Sequence, residues 1–243
     1  MNELADACRR ALSLILTADP DLVEIVLLSL RTSLSAVLIA ALLGLPLGAS
    51  LALFRFPGRR VLTVLVSALM GLPPVVVGLL LYLILSRSGP FGVLELLFTP
   101  TAMIVAQTLL VLPIIAALTR QVVEDLLGEY HELFLSLGVS RRRALVTLLY
   151  DGRFRLVPVL LAGLGRAISE VGAVMIVGGN IDHATRVMTT AIALETSRGD
   201  LSLALGLGIV LLLLTLVINA IVFLVREVSD RQRIRTAPLG GER

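Results

Sequence analysis

Lysine is absent from this sequence of 243 residues, and all 21 basic residues are arginine. The phosphate-binding loop of nucleotide-driven proteins ends in Gly-Lys-Ser or Gly-Lys-Thr, so the chain cannot carry that motif. Cys8 is the only cysteine, which excludes a disulfide framework and a cysteine-based metal site within the sequence. The two histidines, His131 and His183, form no His/Glu metal motif, and no Gly-x-Ser-x-Gly elbow is present. These absences argue against a membrane-embedded enzyme, and we expect no cofactor and no metal in this chain.

Charged residues are also scarce, at 16% of the sequence, whereas a typical soluble domain has about 25%. Hydrophobic residues make up 57%, and the mean hydropathy is +0.97. A chain this apolar cannot cover a soluble surface, so the lipid bilayer is its natural solvent. We therefore expect an all-α, polytopic helical membrane protein with no nucleic-acid partner.

Five apolar runs are long enough to cross a bilayer, which takes roughly 20 helical residues. The expected spans are residues 22–54, 61–85, 101–118, 156–177 and 201–225. Prolines lie inside some of these runs, and membrane bundles tolerate them because neighbouring groups satisfy the freed carbonyls. Pro73 and Pro74 are the pair best placed to break a span.

The transmembrane domain predicted from these runs covers residues 22–226. Residues 1–21 precede it, and their apolar stretch is too short to span, so we expect an amphipathic helix on the membrane surface. Residues 227–243 form the expected tail. Five spans is the prediction, with six as the alternative.

The arginines are distributed unevenly between the two ends of the expected spans. With five spans, 14 of them fall on the side that holds the 120–155 loop and the C-terminus. The positive-inside rule places that side in the cytoplasm of a bacterial or archaeal plasma (inner) membrane. Arg9 and Arg10 would then lie outside, which counts mildly against this orientation.

The loop at residues 120–155 combines arginine with apolar residues at helical spacing, over 126–137 and again over 144–149. Between these segments, Gly138 can end one helix and Ser140 can cap the next. The pattern predicts two short amphipathic helices at the membrane face. They either anchor to anionic lipid headgroups or dock a cytoplasmic partner through an exposed apolar ridge.

The text around this break resembles the "EAA" loop of type I ABC importer permeases. That pattern is Glu-Ala-Ala, three residues, Gly, nine residues, an apolar residue, any residue, then Leu-Pro. Glu132, Gly138 and Leu148 occupy the Glu, Gly and apolar positions, whereas Tyr150 and Asp151 replace Leu-Pro. Both alanines are also replaced. The coupling residues that the resemblance implies are Glu132, Leu133, Phe134, Gly138, Arg141 and Leu148.

The segment 165–181 resembles the signature of tungstate-type permeases, and 185–196 continues the likeness. It is also similar to the looser Glu-Phe-Gly-Ala and Gly-Asn-Ile text of molybdate and sulfate permeases. The resemblance covers roughly residues 22–226. It implies a homodimer that binds two ATP-binding-cassette ATPase subunits, which carry the ATP, and that receives its substrate from an extracytoplasmic binding protein. Tungstate is the expected cargo, followed by molybdate and then sulfate.

Two charges, Arg166 and Glu170, fall inside the fourth expected span. Each costs about 2.5–3.5 kcal/mol at the centre of a membrane helix on insertion scales. Their i, i+4 spacing places them on one face, where they can pair. The pair either locks the span against its neighbours or places Arg166 beside the path of an oxyanion. Exposure of the arginine to lipid, with snorkelling to the interface, is the third possibility.

Polar residues follow at the outer end of this span, and they either line the mouth of a pathway or form a solvated loop. The tentative path residues are Arg166, Glu170, Asn180, Thr189 and Thr190. An ion-coupled secondary transporter is the main alternative function. Such proteins usually have more spans and inverted repeats, and this sequence shows no internal repeat.

Overall fold

The computed structural model describes the backbone of residues 2–236 and the side chains of residues 8, 9 and 11–224. Over that range the regular structure is entirely helical. Residues 237–243 of the expected tail lie outside the described part. In chain order the helices are α1 (Asn2–Leu16), α2 (Pro20–Leu53), α3 (Arg59–Leu69), α4 (Pro74–Leu85), α5 (Pro100–Ser136), α6 (Arg141–Asp151), α7 (Arg153–Ile168), α8 (Gly172–Gly178), α9 (Met188–Arg198) and α10 (Leu201–Thr236), with a short 3-10 turn at Gly92–Leu94.

The two longest inner helices, α2 and α5, begin in the same way, with a capping side chain followed by proline. Asp19 accepts hydrogen bonds from the backbone N–H groups of Asp21 and Leu22, at 3.1 and 3.3 Å. Thr99 accepts one from Ala102 N–H, at 3.4 Å. Proline fits the first turn because its missing N–H has no intrahelical partner there.

The core of the fold is the long contact between α2 and α5, joined by α7. Two glycines on α2 allow the backbones to approach closely, as the Gly44-x-x-x-Gly48 spacing suggests. A Cβ at Gly44 would lie 3.0 Å from Ile115 Cγ2, and a Cβ at Gly48 would collide with the Ala116 carbonyl oxygen. The surrounding side chains form a continuous apolar cluster that includes Val37, Val111 and Ile115 on the facing helices.

Two of the expected spans are not single straight helices. Residues 61–85 divide into α3 and α4, which meet at 101°, because Pro73 and Pro74 withhold backbone N–H groups at the junction. Residues 156–177 divide into α7 and α8, which meet at 57°. In the part of the chain that the structure describes, three helices are long and apolar enough to cross a membrane, and the number rises to five if each bent pair counts as one span.

The expected third span is longer than the sequence pattern suggested. Residues 101–118 belong to α5, which continues without a break to Ser136, and Pro113 does not interrupt it. The first of the two short helices expected in the 120–155 loop is therefore wrong as a separate element: it is the end of α5. Only α6 is a separate short helix. Between the fourth and fifth spans, α9 is a helix that the sequence analysis did not predict.

The expected N-terminal helix is present as α1, and it packs against α10. Ala11 is fully buried, and its backbone lies 3.7–3.8 Å from the position of a Cβ on Gly206. Its position on the membrane surface stays a prediction. In contrast to α2 and α5, only 11% of the apolar window of α10 is buried within the chain, so most of that face remains for lipid or another protein.

Candidate functional site

The turn between α5 and α6 has the geometry that its glycine predicts. Gly138 adopts φ +60°, a left-handed conformation that glycine enters without steric cost. The backbone N–H of Val139 donates to the Phe134 carbonyl at 3.1 Å, which closes the helix end. Ser140 stands at the N-cap of α6, but its side chain makes no capping hydrogen bond, so this part of the prediction is wrong.

An apolar surface surrounds that turn and is not covered by the described part of the chain. We call it the coupling surface; its residues are Leu133, Leu135, Leu137, Val146 and Tyr150, which are 49–69% exposed. Glu132 and Arg141 are exposed at its edge, and a Cβ at Gly138 would meet no atom within 4 Å. Contiguous exposed apolar side chains rimmed by charge are typical of a protein interaction site.

The predicted coupling residues divide into an exposed set and a buried set. Leu148 is fully buried, in a cluster with Val123 and Leu126 of α5, and Phe134 is half-buried against the same cluster. Leu148 therefore holds α6 against α5 rather than facing a partner. A cavity of about 650 Å³ opens beside this cluster, between the end of α2, the end of α5 and α6.

Inside the helical bundle, Arg166 and Glu170 form the ion pair that their spacing predicts. Arg166 Nη1 lies 2.5 Å from Glu170 Oε2. The glutamate side chain is only 2% exposed, whereas that of the arginine is 31% exposed. Glu170 does not lie in a continuous helix, because the chain bends between α7 and α8 at this point.

Glu170 also connects the elements that meet at the bend. Its second oxygen, Oε1, accepts the backbone N–H of Ala173 in the first turn of α8, at 3.1 Å. Its backbone carbonyl accepts the hydroxyl of Thr189 at 2.7 Å. A buried carboxylate is expensive unless it is paired and hydrogen-bonded, and both conditions are met here.

Three further polar side chains join this region, and the sequence analysis missed them. Gln107 Nε2 donates to the Ala167 carbonyl at 3.0 Å and to Ser33 Oγ at 3.4 Å. Ser29 Oγ accepts the Met188 N–H at the start of α9, at 2.8 Å. Their signal was the presence of polar residues inside apolar runs. We call the set the polar belt: Ser29, Ser33, Gln107, Glu170 and Thr189.

One side of Arg166 is left open. A Cβ added at the neighbouring Gly165 would meet no atom within 4 Å, and Ser169, one turn further along, is exposed. The Arg166 side chain therefore pairs with Glu170 and is still 31% exposed. A residue placed in this way can contact a second copy of the chain or a molecule passing along the surface.

The other predicted path residues are largely enclosed. Thr189 and Thr190 are 8% and 0% exposed, so the interpretation as a solvated loop is wrong for both. The Thr190 hydroxyl accepts the Val187 N–H at 3.1 Å, which caps the start of α9. Asn180 adopts φ +50° and donates to the Thr190 carbonyl at 3.2 Å.

Several charged groups lie in the loop between α8 and α9 and against the start of α2. His183 Nδ1 lies 2.9 Å from Glu24 Oε2 on α2, and this hydrogen bond, with the charge of Glu24, raises the pKa of His183. Arg186 is paired with Asp182 at 2.8 Å. Among the side chains that the structure describes (residues 8, 9 and 11–224), no group of three or more His, Cys, Asp or Glu is arranged to hold a metal ion.

Comparison with known proteins identifies the family. Residues 44–235 match the profile described as "Binding-protein-dependent transport system inner membrane component". Because this match covers most of the sequence, the chain belongs to that family. The prediction of an all-α, polytopic membrane permease is confirmed. As a transport component, the family argues against the alternatives of an enzyme or an ion-coupled transporter.

Individual relatives are similar along most of the chain. The tungstate uptake system permease protein TupB of Peptoclostridium acidaminophilum is 39% identical over 227 residues, covering 93% of this chain and 100% of the relative. A probable anion ABC transporter permease protein of Haloferax volcanii is 42% identical, covering 82% of this chain and 88% of the relative. The sulfate transport system permease protein CysT of Escherichia coli is 28% identical, covering 75% of this chain and 68% of the relative.

Proposed function

We propose that this chain is the membrane-spanning subunit of an ATP-driven importer for tungstate. It works as a homodimer with two ATP-binding-cassette ATPase subunits and an extracytoplasmic binding protein. The name of the Peptoclostridium relative supports tungstate as the cargo. The likeness to CysT makes sulfate the second candidate, and molybdate, another tetrahedral oxyanion, stands beside it.

The coupling surface is the observation that carries the ATPase part of the proposal. It lies on the end of α5 and on α6, so a force on Leu135 is carried into the inner part of α5 along one continuous helix. The buried contact of Leu148 with Leu126 makes α6 move with α5. Because the sequence holds no lysine, the ATP-binding loop belongs to the partner subunit.

Arg166 is the residue proposed to meet the oxyanion in transit. Its guanidinium offers planar donors that match oxyanion geometry, and its uncovered side faces the proposed path. Glu170 neutralises part of its charge, so the anion is held weakly and can leave. Passage requires binding that is favourable enough to enter and weak enough to release.

The proposed orientation places the coupling surface and the C-terminus in the cytoplasm of a multi-pass plasma-membrane protein. The exposed arginines 141–143 at the start of α6 support this, because positive charge is retained on the cytoplasmic side. The α8–α9 loop then faces outward, where the binding protein delivers its cargo.

Uptake of labelled tungstate into proteoliposomes tests the function directly. The vesicles hold this chain with its ATPase, and the binding protein is supplied on the outer side. We expect uptake to require both ATP and the binding protein. Excess unlabelled tungstate should suppress this uptake more strongly than excess molybdate or sulfate. Uptake driven by an ion gradient without ATP would overturn the proposal. Stronger competition by sulfate would reassign the cargo.

Arg166→Gln tests the path, with Arg198→Gln as its matched control. Arg198 also pairs with a buried glutamate, Glu195 at 3.2 Å, but at the end of α9. We expect Arg166→Gln to lower the uptake rate at least about tenfold, a loss of roughly 1.4 kcal/mol of stabilisation, while Arg198→Gln retains it. Normal uptake by a correctly assembled Arg166→Gln complex removes Arg166 from the path.

A further inference from the structure

A group of arginines beside the coupling surface is not used by the proposed transport function. We call it the α2–α3 arginine patch; its members are Arg55, Arg59, Arg60 and Arg120, which line a cavity of about 530 Å³. The cavity lies at the turn from α2 into α3, against the side of α5. It is distinct from the polar belt, whereas Arg55 and Arg59 also line the larger cavity that Leu135 of the coupling surface borders.

The charges of the patch are far from balanced. Arg59 and Arg120 share a single carboxylate, that of Glu124, at 3.1 and 2.7 Å. Arg55 and Arg60 are exposed, and neither has an ion-pair partner among the side chains that the structure describes. Four guanidinium groups thus face one carboxylate, which leaves a net charge of +3 around the cavity.

Arg59 is held in place by the backbone as well as by Glu124. Its Nε donates to the Leu51 carbonyl at 2.5 Å, and Nη2 donates to the Ala52 carbonyl at 3.3 Å. These carbonyls belong to the last turn of α2, where a helix carries partial negative charge that attracts a cation. One side of the cavity is therefore a fixed wall, whereas Arg55 and Arg60 are free to turn toward a ligand.

The adjoining helix α3 supplies an apolar surface that begins at the patch. It starts at Gly58 without a side-chain cap, so the partial positive charge of its first turn also faces the patch. Val61, Val64 and Leu65 share one face and are 72%, 62% and 50% exposed. At 11 residues the helix is too short to cross a bilayer core of about 30 Å.

We propose that the α2–α3 arginine patch binds the phosphate group of an anionic phospholipid, whose acyl chain lies along the exposed face of α3. Charge complementarity identifies the headgroup, because clustered arginines next to a membrane helix attract anionic lipid. The apolar face explains why the occupant is a lipid rather than a free oxyanion, which would leave that face unused. Lipid binding at this patch requires that the chain lies in a membrane, and it is independent of which oxyanion is transported.

Native mass spectrometry of the full chain, released from detergent with defined lipids, tests this site. The test variant is Arg55→Gln/Arg60→Gln. Its matched control is Arg142→Gln/Arg143→Gln, which removes the same charge from exposed positions on α6. We expect the affinity for dioleoyl phosphatidylglycerol to fall roughly thirtyfold in the test variant, about fivefold per arginine. The control should change by less than about threefold, and phosphatidylcholine should bind equally to all three proteins.

Two further measurements separate the lipid from other occupants. Val64→Ser should weaken phosphatidylglycerol binding but leave binding of glycerol phosphate, which has no acyl chains, unchanged. Displacement of the lipid by millimolar inorganic phosphate or tungstate would overturn the proposal in favour of a free anion. Equal losses in the test and control variants would overturn it in favour of diffuse charge. A shift of the monomer–dimer balance in the test variant, without loss of lipid, would assign the patch to a second copy of the chain.

Discussion

The polar belt and the coupling surface both contain residues for which the sequence predicts a function, but they differ in how far their side chains are buried. In the belt, Glu170 is 2% exposed and every contact described for it is a hydrogen bond or an ion pair within the chain. At the coupling surface, Leu135 and Leu137 are 69% and 67% exposed, although they are apolar. Glu170 is thus paired within the chain, whereas the coupling surface leaves apolar side chains uncovered in the described part of the chain.

This difference separates residues that hold the fold from residues that serve a partner. Substitutions in the belt should act first on the free energy of unfolding. Substitutions of exposed residues on the coupling surface should act on assembly with the ATPase and leave unfolding nearly unchanged. Buried residues next to that surface should behave like the belt.

The largest effect is expected at Leu148, which lies close to the coupling surface but is fully buried. Leu148→Ala leaves a cavity against Val123 and Leu126, and it should lower the free energy of unfolding by roughly 2–5 kcal/mol. Leu137→Ala, its exposed control, should stay within about 0.5 kcal/mol but weaken ATPase association more than about fivefold. Unfolding in an SDS titration and a pull-down measure the two quantities. If Leu148→Ala and Leu137→Ala lowered the free energy of unfolding by the same amount, the distinction between buried and exposed residues at this surface would be wrong.

The next effect is expected in the polar belt. Glu170→Ala leaves Arg166 without its partner and the Ala173 N–H without its acceptor. It should lower the free energy of unfolding by roughly 2–4 kcal/mol. Glu170→Gln should cost about half as much, because its amide oxygen can still accept from Ala173. Glu129→Gln is the control: it breaks the partly exposed pair with Arg155, and it should cost about 0–1 kcal/mol. If Glu170→Gln and Glu129→Gln lowered the free energy of unfolding equally, the buried pair would add no more stability than the partly exposed one.

A smaller effect is expected from adding one methyl group at each of two glycines. Gly48→Ala introduces a Cβ that collides with the Ala116 carbonyl, so α2 and α5 must separate at a cost of about 1–3 kcal/mol. Gly128→Ala lies on the extension of α5, where a Cβ meets nothing within 4 Å. It should stabilise the helix by about 0.5–1 kcal/mol. Thermal unfolding in detergent measures both changes, and the same sign for both would contradict the packing described here.

The features that were predictable from sequence depend on residues close together in the chain. The turn at Gly138 follows from the conformational freedom of one glycine, and the Arg166–Glu170 pair follows from i, i+4 spacing. The enclosure of Thr190 and the hydrogen bonds of Gln107 depend on which helices meet, and no local pattern encodes that.

Continuation of α5 was missed for a different reason. Its hydropathy falls after residue 118, where the helix leaves the apolar stretch, but no residue there ends a helix. A drop in hydropathy occurs where a helix ends, but it also occurs where a continuous helix passes from lipid into water. Pro73 and Pro74 were informative because proline acts on the backbone itself.

The smallest effect is expected in the α8–α9 loop, where His183 makes an exposed contact with Glu24. The raised pKa of His183 means that its contact with Glu24 stabilises the fold fully below pH 6.5, the ordinary value. That contribution is lost as the pH rises through the raised value. In NMR titrations, in a His131→Gln background for assignment, Glu24→Gln should return the pKa of His183 toward 6.5.

The unfolding temperatures of the wild-type chain and Glu24→Gln should therefore differ most at low pH and converge as the pH rises. Asp182 influences the same histidine more weakly. The gap in unfolding temperature between Asp182→Asn and the wild-type chain should therefore change less with pH than the gap for Glu24→Gln. A difference for Glu24→Gln that grows with pH would contradict the contact. It would leave the Arg166–Glu170 pair as the better-supported electrostatic contact in the chain.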